Sequence, residues 1–466
     1  MPVPAEPFIA QALGEMRELY LRDATPWVVG FSGGKDSSTV VQLTYRMLMD
    51  LPPQLRHKQV HVIASDTLVE SPVVEGYLDT VLHALGEGAA RDGLPLVAQK
   101  VVPDIGESFW VMLLGRGYPS PNRFFRWCTE RLKINPTTRY IQEQIDQWGS
   151  AIILLGARKA ESSSRAQVLE NYRTGESLLR RHATMPQAFV YAPIADWPTE
   201  NVWTYLTIYE APWNPGLRLN SRLRELYRDG AGGECPLVID KTTPSCGQSR
   251  FGCWTCTVVN VDSSMEGFLE VGGQYEWMRP LLEFRNKLKL YRDDPQKREK
   301  WRRASPDRPR GWSPEAQQLP LIPEPADACE QAQSAYEILG PFKLDVRVAL
   351  LTELLSIQKS IGHPLISPEE IELVRRYWTE DYRVDEETML DVLERVFGPA
   401  ARRLQLAEER RLLRDVCAEH SVDVLLVDRL LDLERGYVTK LRKRGLFQSV
   451  DKVLEDWLAH GVDQPC

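Results

Sequence analysis

Five short apolar runs alternate with stretches of helical period through the first half of the chain. They are Trp27-Val28-Val29, Val60 to Ala64, Leu96-Val97-Ala98, Ala151 to Leu155 and Phe189-Val190-Tyr191. Between the first two, Val40, Val41, Leu43, Thr44, Met47 and Leu48 recur at helical spacing. Alternation of this kind predicts a parallel sheet with helices on both faces, because parallel neighbours need a crossover long enough for a helix. Ligands of such sheets bind beyond the carboxyl ends of the strands. The loops starting at Gly30, Ser65 and Gly156 each follow an apolar run and are therefore the first places to look for chemistry.

A chain of 466 residues can bury a large core and is expected to hold two or three domains. Residues 1–261 read as the α/β domain, 262–341 as a basic and Pro-rich connecting segment, and 342–466 as a helical domain. In the last, Val346, Leu350, Leu351, Leu354 and Leu355, then Ile371, Val374 and Tyr377, keep helical period, punctuated by Pro368 and Pro399. No apolar run approaches the roughly 20 residues that span a bilayer. Met1 to Arg22 mixes Glu6, Glu15, Arg17 and Glu18 with apolar residues, which is not the layout of a secretion signal. A cytoplasmic location and no membrane partner are expected. The net charge of −8 argues against blanket nucleic-acid affinity. Locally, Arg279 to Arg310 carries twelve Lys/Arg against five Asp/Glu, with Trp277, Phe284, Tyr291, Trp301 and Trp312 interleaved or flanking. This reads either as a surface for DNA phosphate or as a solvated charged linker.

Ser32-Gly33-Gly34-Lys35-Asp36-Ser37-Ser38 lies between a strand ending at Phe31 and a helix. Glycines let the backbone turn tightly towards an anion, and the helix N-terminus presents free N–H groups. Ser37 and Ser38 can donate from hydroxyls, Lys35 can offset phosphate charge, and Asp36 can orient the loop or reach magnesium. The spacing differs from that of the common NTPase loop.

The eight cysteines are too few for a disulfide-dense secreted scaffold of this length and read first as metal ligands or reactive thiols. Cys253-Trp254-Thr255-Cys256 places two sulfurs on one ion or cluster, Cys246 adds a third, and Cys128 completes four. The spacing suits Zn(Cys)4 or a [4Fe–4S] cluster, with a single CxxC and distant partners leaning towards the cluster. Cys235 competes with Cys246 for its place. Cys417 reads as a core thiol, and Cys329 and Cys466 as incidental.

Further strings follow in order: Ser65-Asp66-Thr67-Leu68-Val69-Glu70, Gly156-Ala157-Arg158-Lys159-Ala160-Glu161-Ser162 with Arg165, and Asp196-Trp197-Pro198-Thr199-Glu200-Asn201-Val202-Trp203. Read alone, Asp196 could be a turn residue and Thr199 a helix cap. Together with the Ser32–Ser38 loop, the strings resemble the phosphoadenosine-phosphosulfate reductase family of PP-loop ATP pyrophosphatases over roughly residues 25 to 260. The resemblance implies cleavage of ATP between the α and β phosphates, with Mg2+. Ser32 to Ser38, Asp66, Thr67, Gly156 and Arg165 would bind the nucleotide, and Lys35, Asp36, Ser37 and Arg158 would act in catalysis. One cysteine, Cys128, stands where the reductases of adenosine phosphosulfate carry an adjacent pair, and their Glu-Cys-Gly segment is missing. The strings Arg126 to Lys133 and Arg250 to Thr257 are instead most similar to the DndC branch, of DNA phosphorothioation systems. That branch implies an ATP pyrophosphatase and sulfurtransferase with a [4Fe–4S] cluster. Its partners would be DNA, a cysteine desulfurase as sulfur donor and DndD- and DndE-like subunits. A cluster-dependent tRNA thiolase, a sulfonucleotide reductase and a nucleotide-gated DNA-binding scaffold with structural zinc remain as alternatives.

Overall fold

The computed structural model of the protein describes residues 6–161, 178–230, 252–300, 339–382, 387–420, 422–438 and 446–460. It divides into two compact units: residues 1–109 with 120–289, and residues 110–119 with 290–466.

The first unit is built on a six-stranded sheet. Its strands are β1 (Trp27–Gly30), β2 (Val60–Ser65), β3 (Leu96–Val101), β4 (Ala151–Leu154), β5 (Arg180–Arg181) and β6 (Ala188–Tyr191), in the order β3-β2-β1-β4-β6-β5. All pairings are parallel except that of β5 with β6. Register is set by Trp27 opposite Val60 on one side and Ile152 on the other. The five expected runs are five of these strands, and the short antiparallel β5 had no apolar signature to announce it. Strand β1 is central, and its four residues are fully covered. Order reverses there: the chain moves outward to β2 and β3, then returns to β4 on the other side. That switch point opens a crevice at the strand ends.

Helix α1 (Pro7–Arg22) precedes β1, and α2 (Lys35–Asp50) follows it. Val40, Val41, Leu43, Thr44, Met47 and Leu48 are all buried, as their spacing requires. Helix α3 (Pro72–Arg91) connects β2 to β3. Residues 129–134 wind as a π-helix that runs directly into α4 (Asn135–Trp148) before β4. Helices α5 (Thr199–Ile208) and α6 (Leu219–Asp229) follow the sheet.

Residues after 261 do not begin as a linker. Two helices, α7 (Ser263–Val271) and α8 (Arg279–Asp293), follow, and Leu281, Phe284 and Leu288 of α8 are fully buried. Their apolar positions recur at helical spacing, a signal masked by the basic residues between them. The Pro-rich part of the expected segment lies outside the described residues.

In the second unit α9 (Leu344–Ile361), α10 (Pro368–Tyr382), α11 (Glu387–Phe397), α12 (Pro399–Glu419), α13 (Val424–Val438) and α14 (Leu446–His460) make the helical domain. Pro368 and Pro399 each open a helix, where a missing N–H costs nothing. Cys417 is buried there, as expected of a core thiol. Trp110 to Leu114, also of this unit, are essentially inaccessible. The Trp378 indole donates to the Leu114 carbonyl at 2.8 Å, and the Trp110 indole to that of Leu365 at 2.6 Å. No described helix is long and apolar enough to cross a membrane.

Candidate functional site: a phosphate loop and a cysteine turn

The loop between β1 and α2 is shaped by what its glycines lack. Gly33 has a φ of +74°, and a Cβ there would meet the Leu78 side chain at 2.8 Å. Ser37 braces the loop from within. Its hydroxyl accepts from the Ser32 N–H at 3.2 Å, lies 3.1 Å from the Ser32 hydroxyl and donates to the Gly34 carbonyl at 3.0 Å. Lys35 to Ser38 are all buried, at the N-terminus of α2, where partial positive charge accumulates.

Asp36 is held at both oxygens: Lys35 Nζ donates to Oδ2 at 2.9 Å and Arg158 Nε to Oδ1 at 2.5 Å. Arg158 also donates to the Trp197 carbonyl at 3.3 Å and the Thr199 hydroxyl at 3.2 Å. The Asp-Trp-Pro-Thr string thus seats the arginine. Pro198 holds the cap position of α5 and Thr199 is its first helical residue, so Thr199 is not the cap. Asp196 pairs with Lys159 at 2.7 Å. Gly156 has no room for a side chain, since its Cβ would lie 2.7 Å from both the Asp36 carbonyl carbon and the Ser37 nitrogen. The loops after β1 and β4 therefore touch backbone to backbone.

The loop after β2 forms the next wall. Asp66 accepts from the Leu68 N–H at 2.8 Å, and Leu68 takes a φ of +63°. Asp66 and Asp79 pair with Lys100 at 2.9 and 2.6 Å. Burial alone would lower the Lys100 pKa, but hydrogen bonds to Asp79 and Asp66 outweigh it and push it above its ordinary value. Glu75 beside them is pushed up by burial and by the Asp66 charge. The Thr67 hydroxyl donates to Glu70 at 2.9 Å and lies 3.3 Å from the Cys253 sulfur. The Cys253 thiol donates to the same Glu70 carboxylate at 3.8 Å. Glu70 and Cys253 also pair as backbone, and the Trp254 N–H donates to the Val69 carbonyl at 3.0 Å.

Cys128, Cys253 and Cys256 line one pocket, together with Phe109, Lys133 and Asp262. Cys128 sits where the helix opens into its π-wound stretch, a distortion frequent at functional sites. Asp262 caps α7 by accepting from the Met265 N–H at 3.0 Å, and burial raises its pKa. Thiolates in one pocket suit a soft metal. Among the described residues, no group of three or more His, Cys, Asp or Glu is arranged to hold a metal ion. Cys246, Cys235, Arg165, Ser162, Cys329 and Cys466 lie outside the described residues. Magnesium commonly arrives on nucleotide phosphates with one or two carboxylates. Asp36, with both oxygens engaged by cations, is a brace of the loop in this structure.

Sequence reasoning missed three contributors. Tyr227 of α6 accepts from the Lys35 N–H at 3.0 Å, with Lys35 Nζ 5.7 Å from its ring centre. Lys133 lies 3.6 Å from Glu70. Lys100 closes the third set of contacts. Lys133 closes the Arg126 to Lys133 string, though no role was read for it there, while Tyr227 and Lys100 stand in no recognisable string.

The expected DNA-phosphate role fails for part of the basic stretch. Arg285 is wholly buried in the first unit. Arg298, 7% exposed in the second, donates to the carbonyls of Gly340, Arg292 and Leu339. Phe284 is core. These cations satisfy backbone carbonyls inside their own units instead of facing solvent.

The sequence profile of the phosphoadenosine phosphosulfate reductase domain matches residues 26–259. The chain belongs to this family. Its match spans every strand and loop just described, and members of this PP-loop family are enzymes acting on nucleotides. An uncharacterized protein of Methanocaldococcus jannaschii is 27% identical over 203 residues, 44% of this chain and 36% of that protein. The chain thus spans about a third of the length of that curated relative. Among solved structures, the phosphoadenylyl-sulfate reductase of Candida auris is similar at 16% identity and a TM-score of 0.29, over 47% of this chain and 93% of that one. The U34-tRNA thiolase NcsA of Methanococcus maripaludis, solved with its [4Fe–4S] cluster, is similar at 12% identity and a TM-score of 0.27, over 61% of this chain and 80% of that one. At such values neither likeness bears on substrate or mechanism.

Proposed function

We propose that the chain is an ATP pyrophosphatase and sulfurtransferase that activates a DNA backbone phosphate by adenylylation, so that sulfur replaces a non-bridging oxygen. One observation carries this reading: the Thr67 hydroxyl, in a loop at the nucleotide end of the sheet, lies 3.3 Å from the Cys253 sulfur. The loop after β2 and the soft-ligand turn are thereby in contact, which supports a reading in which a nucleotide and a sulfur meet.

In this reading a non-bridging DNA oxygen attacks the α-phosphorus of ATP, the bond to the bridging oxygen of the β-phosphate breaks, and pyrophosphate leaves. Sulfide, released from the desulfurase persulfide by a thiol reductant that becomes a disulfide, then attacks the activated DNA phosphorus, and AMP departs with the former DNA oxygen. Lys35 and Arg158, fixed through Asp36, offset charge on the nucleotide phosphates, and the α2 N-terminus adds donors. Ser37 keeps the loop in its tight turn. Cys128, Cys246, Cys253 and Cys256 are the ligands assigned to a [4Fe–4S] centre, which when bound supplies a soft site for sulfur or a route for electrons. DNA, a cysteine desulfurase and DndD- and DndE-like subunits are the partners this proposal requires. Support for a nucleic-acid substrate comes from Arg123 and Phe124, exposed between the pocket residues Pro121 and Cys128, with Phe124 85% exposed. A ring and a guanidinium displayed together suit stacking on bases.

The test is twofold. Anaerobically purified protein should release pyrophosphate from ATP with magnesium and contain iron and acid-labile sulfide. Mass spectrometry should find gene-dependent sulfur in DNA. Orthophosphate as the sole product removes the assigned bond cleavage, sulfur in RNA moves the reading to a thiolase, and zinc without sulfide moves it to a scaffold.

A further inference from the structure

The basic run on α8 contains a cation that solvent never meets. Arg285 is 0% exposed, yet a buried guanidinium costs several kcal/mol unless its donors are satisfied. Its Nε donates to the Cys256 carbonyl at 2.8 Å, one terminal nitrogen to the Asn260 carbonyl at 3.2 Å, and the other to the Val259 carbonyl. The nitrogen that reaches Asn260 also donates to Asn286 Oδ1 at 2.7 Å. All three carbonyls belong to the five residues that begin at the second cysteine of the CxxC turn. Lys289, one turn further along α8, also donates to Asn260 at 3.2 Å.

The turn is gripped from other directions too. Trp254 is 2% exposed, and its ring centre lies 6.2 Å from that of Phe284, the neighbour of Arg285. The Thr257 hydroxyl donates to the Pro121 carbonyl at 2.6 Å, and the Cys256 N–H to the Cys253 carbonyl at 3.0 Å. These protein groups brace the backbone on which Cys253 and Cys256 are mounted. In small domains built around a structural zinc, by contrast, the ion itself supplies the fold.

The geometry points to Arg285 as the positioning residue of the cysteine turn: its planar fork gathers the carbonyls of Cys256, Val259 and Asn260 and presets the two thiols for a soft metal. The chemical consequence rests on the cysteine assignment under Proposed function, while the geometric claim does not. Lysine cannot substitute, because an ammonium offers its donors from one point and cannot span three carbonyls. Outer contacts that orient metal ligands are worth about 10–100-fold in metal affinity when lost.

The test uses the full chain, metal-free, with Arg285→Met and Arg285→Lys. Cobalt(II) is the probe, because its thiolate charge-transfer absorption reports sulfur ligation. Circular dichroism and thermal midpoint report folding. Folded variants should bind cobalt at least 10-fold more weakly than the parent chain, with Arg285→Lys not restoring it. If Arg285→Met fails to fold, Arg285→Lys carries the measurement. Cobalt affinity in a folded variant equal to that of the parent overturns the proposal. A parent chain with no thiolate band sinks the metal reading instead. The positional claim is then read from alkylation of Cys253 and Cys256 by N-ethylmaleimide, with buried Cys417 as the internal reference. Faster modification in Arg285→Lys supports it, and equal rates overturn it.

Discussion

Gly156 shows how one missing carbon holds two loops together. Its absent Cβ would strike the Asp36 and Ser37 backbone at 2.7 Å, where no flexible side chain can yield. Gly156→Ala should therefore push the start of α2 away, at a cost of about 1–3 kcal/mol from overpacking. A lowered thermal midpoint together with loss of pyrophosphate release would be the readout, and an unshifted midpoint would contradict the contact. Asp36 presents the electrostatic counterpart. Removing it strips a carboxylate from two buried cations, so Asp36→Ala should destabilise by about 3–5 kcal/mol as well as abolish activity. Arg158→Lys keeps the charge but loses the fork that also reaches Trp197 and Thr199. Its effect should fall mainly on nucleotide turnover, measured as pyrophosphate release at saturating ATP, with a smaller shift in midpoint.

At the scale of elements, β2 carries a pH-sensitive side chain. His61 Nδ1 lies 2.8 Å from the Tyr140 hydroxyl, Nε2 has no hydrogen-bond partner among the described residues, and burial lowers its pKa below the ordinary 6.5. The unfolded chain thus takes up its proton first. The stability His61 contributes is full above about pH 6.5 and declines as the pH falls from there towards the lower folded-state value. His61→Gln should flatten the loss of midpoint below pH 6.5, and identical pH profiles would exclude His61 as the cause. Segment 279–310 asks for a different separation. Arg298→Glu should lower the thermal midpoint, because that side chain holds three carbonyls of its own unit. If the run does meet DNA, Lys300→Glu with Arg302→Glu and Arg303→Glu should weaken binding to it. They should flatten the slope of log affinity against log salt by roughly 0.9 per lost contact. An unchanged slope would move DNA binding elsewhere, for instance to Arg123 and Phe124.

At the scale of the molecule, the two units interleave in sequence. Residues 110–119 leave the first unit after Phe109 and rejoin it at Ser120, and their core belongs to the second. Trp110, Val111, Met112, Leu113 and Leu114 are each 0% exposed. The Leu114 and Gly115 carbonyls accept from Arg347, itself fully buried. A chain ending at Lys289 would lay this apolar segment bare, and such patches drive association. Expressed alone, residues 1–289 should aggregate, whereas the full chain stays dispersed in sedimentation velocity. A monodisperse truncated chain would show that the segment finds other cover.

What the sequence determined by itself was whatever is written locally. Short β-rich runs bounded by turn signals located five strands, helical period located α2 and the C-terminal helices, and the Ser-Gly-Gly-Lys-Asp-Ser string located the phosphate loop, because backbone geometry at a strand–helix junction depends on adjacent residues. Cys253 and Cys256 were legible for the same reason. Tertiary structure alone decided which distant pieces share a site. Tyr227 reaches Lys35 across 192 positions and Cys253 reaches Thr67 across 186, separations over which no local pattern carries information. It also decided the meaning of charge. Arginines that read in sequence as a surface for phosphate are, at 285 and 298, internal donors to carbonyls, since a long charged side chain can as well satisfy buried backbone as face water.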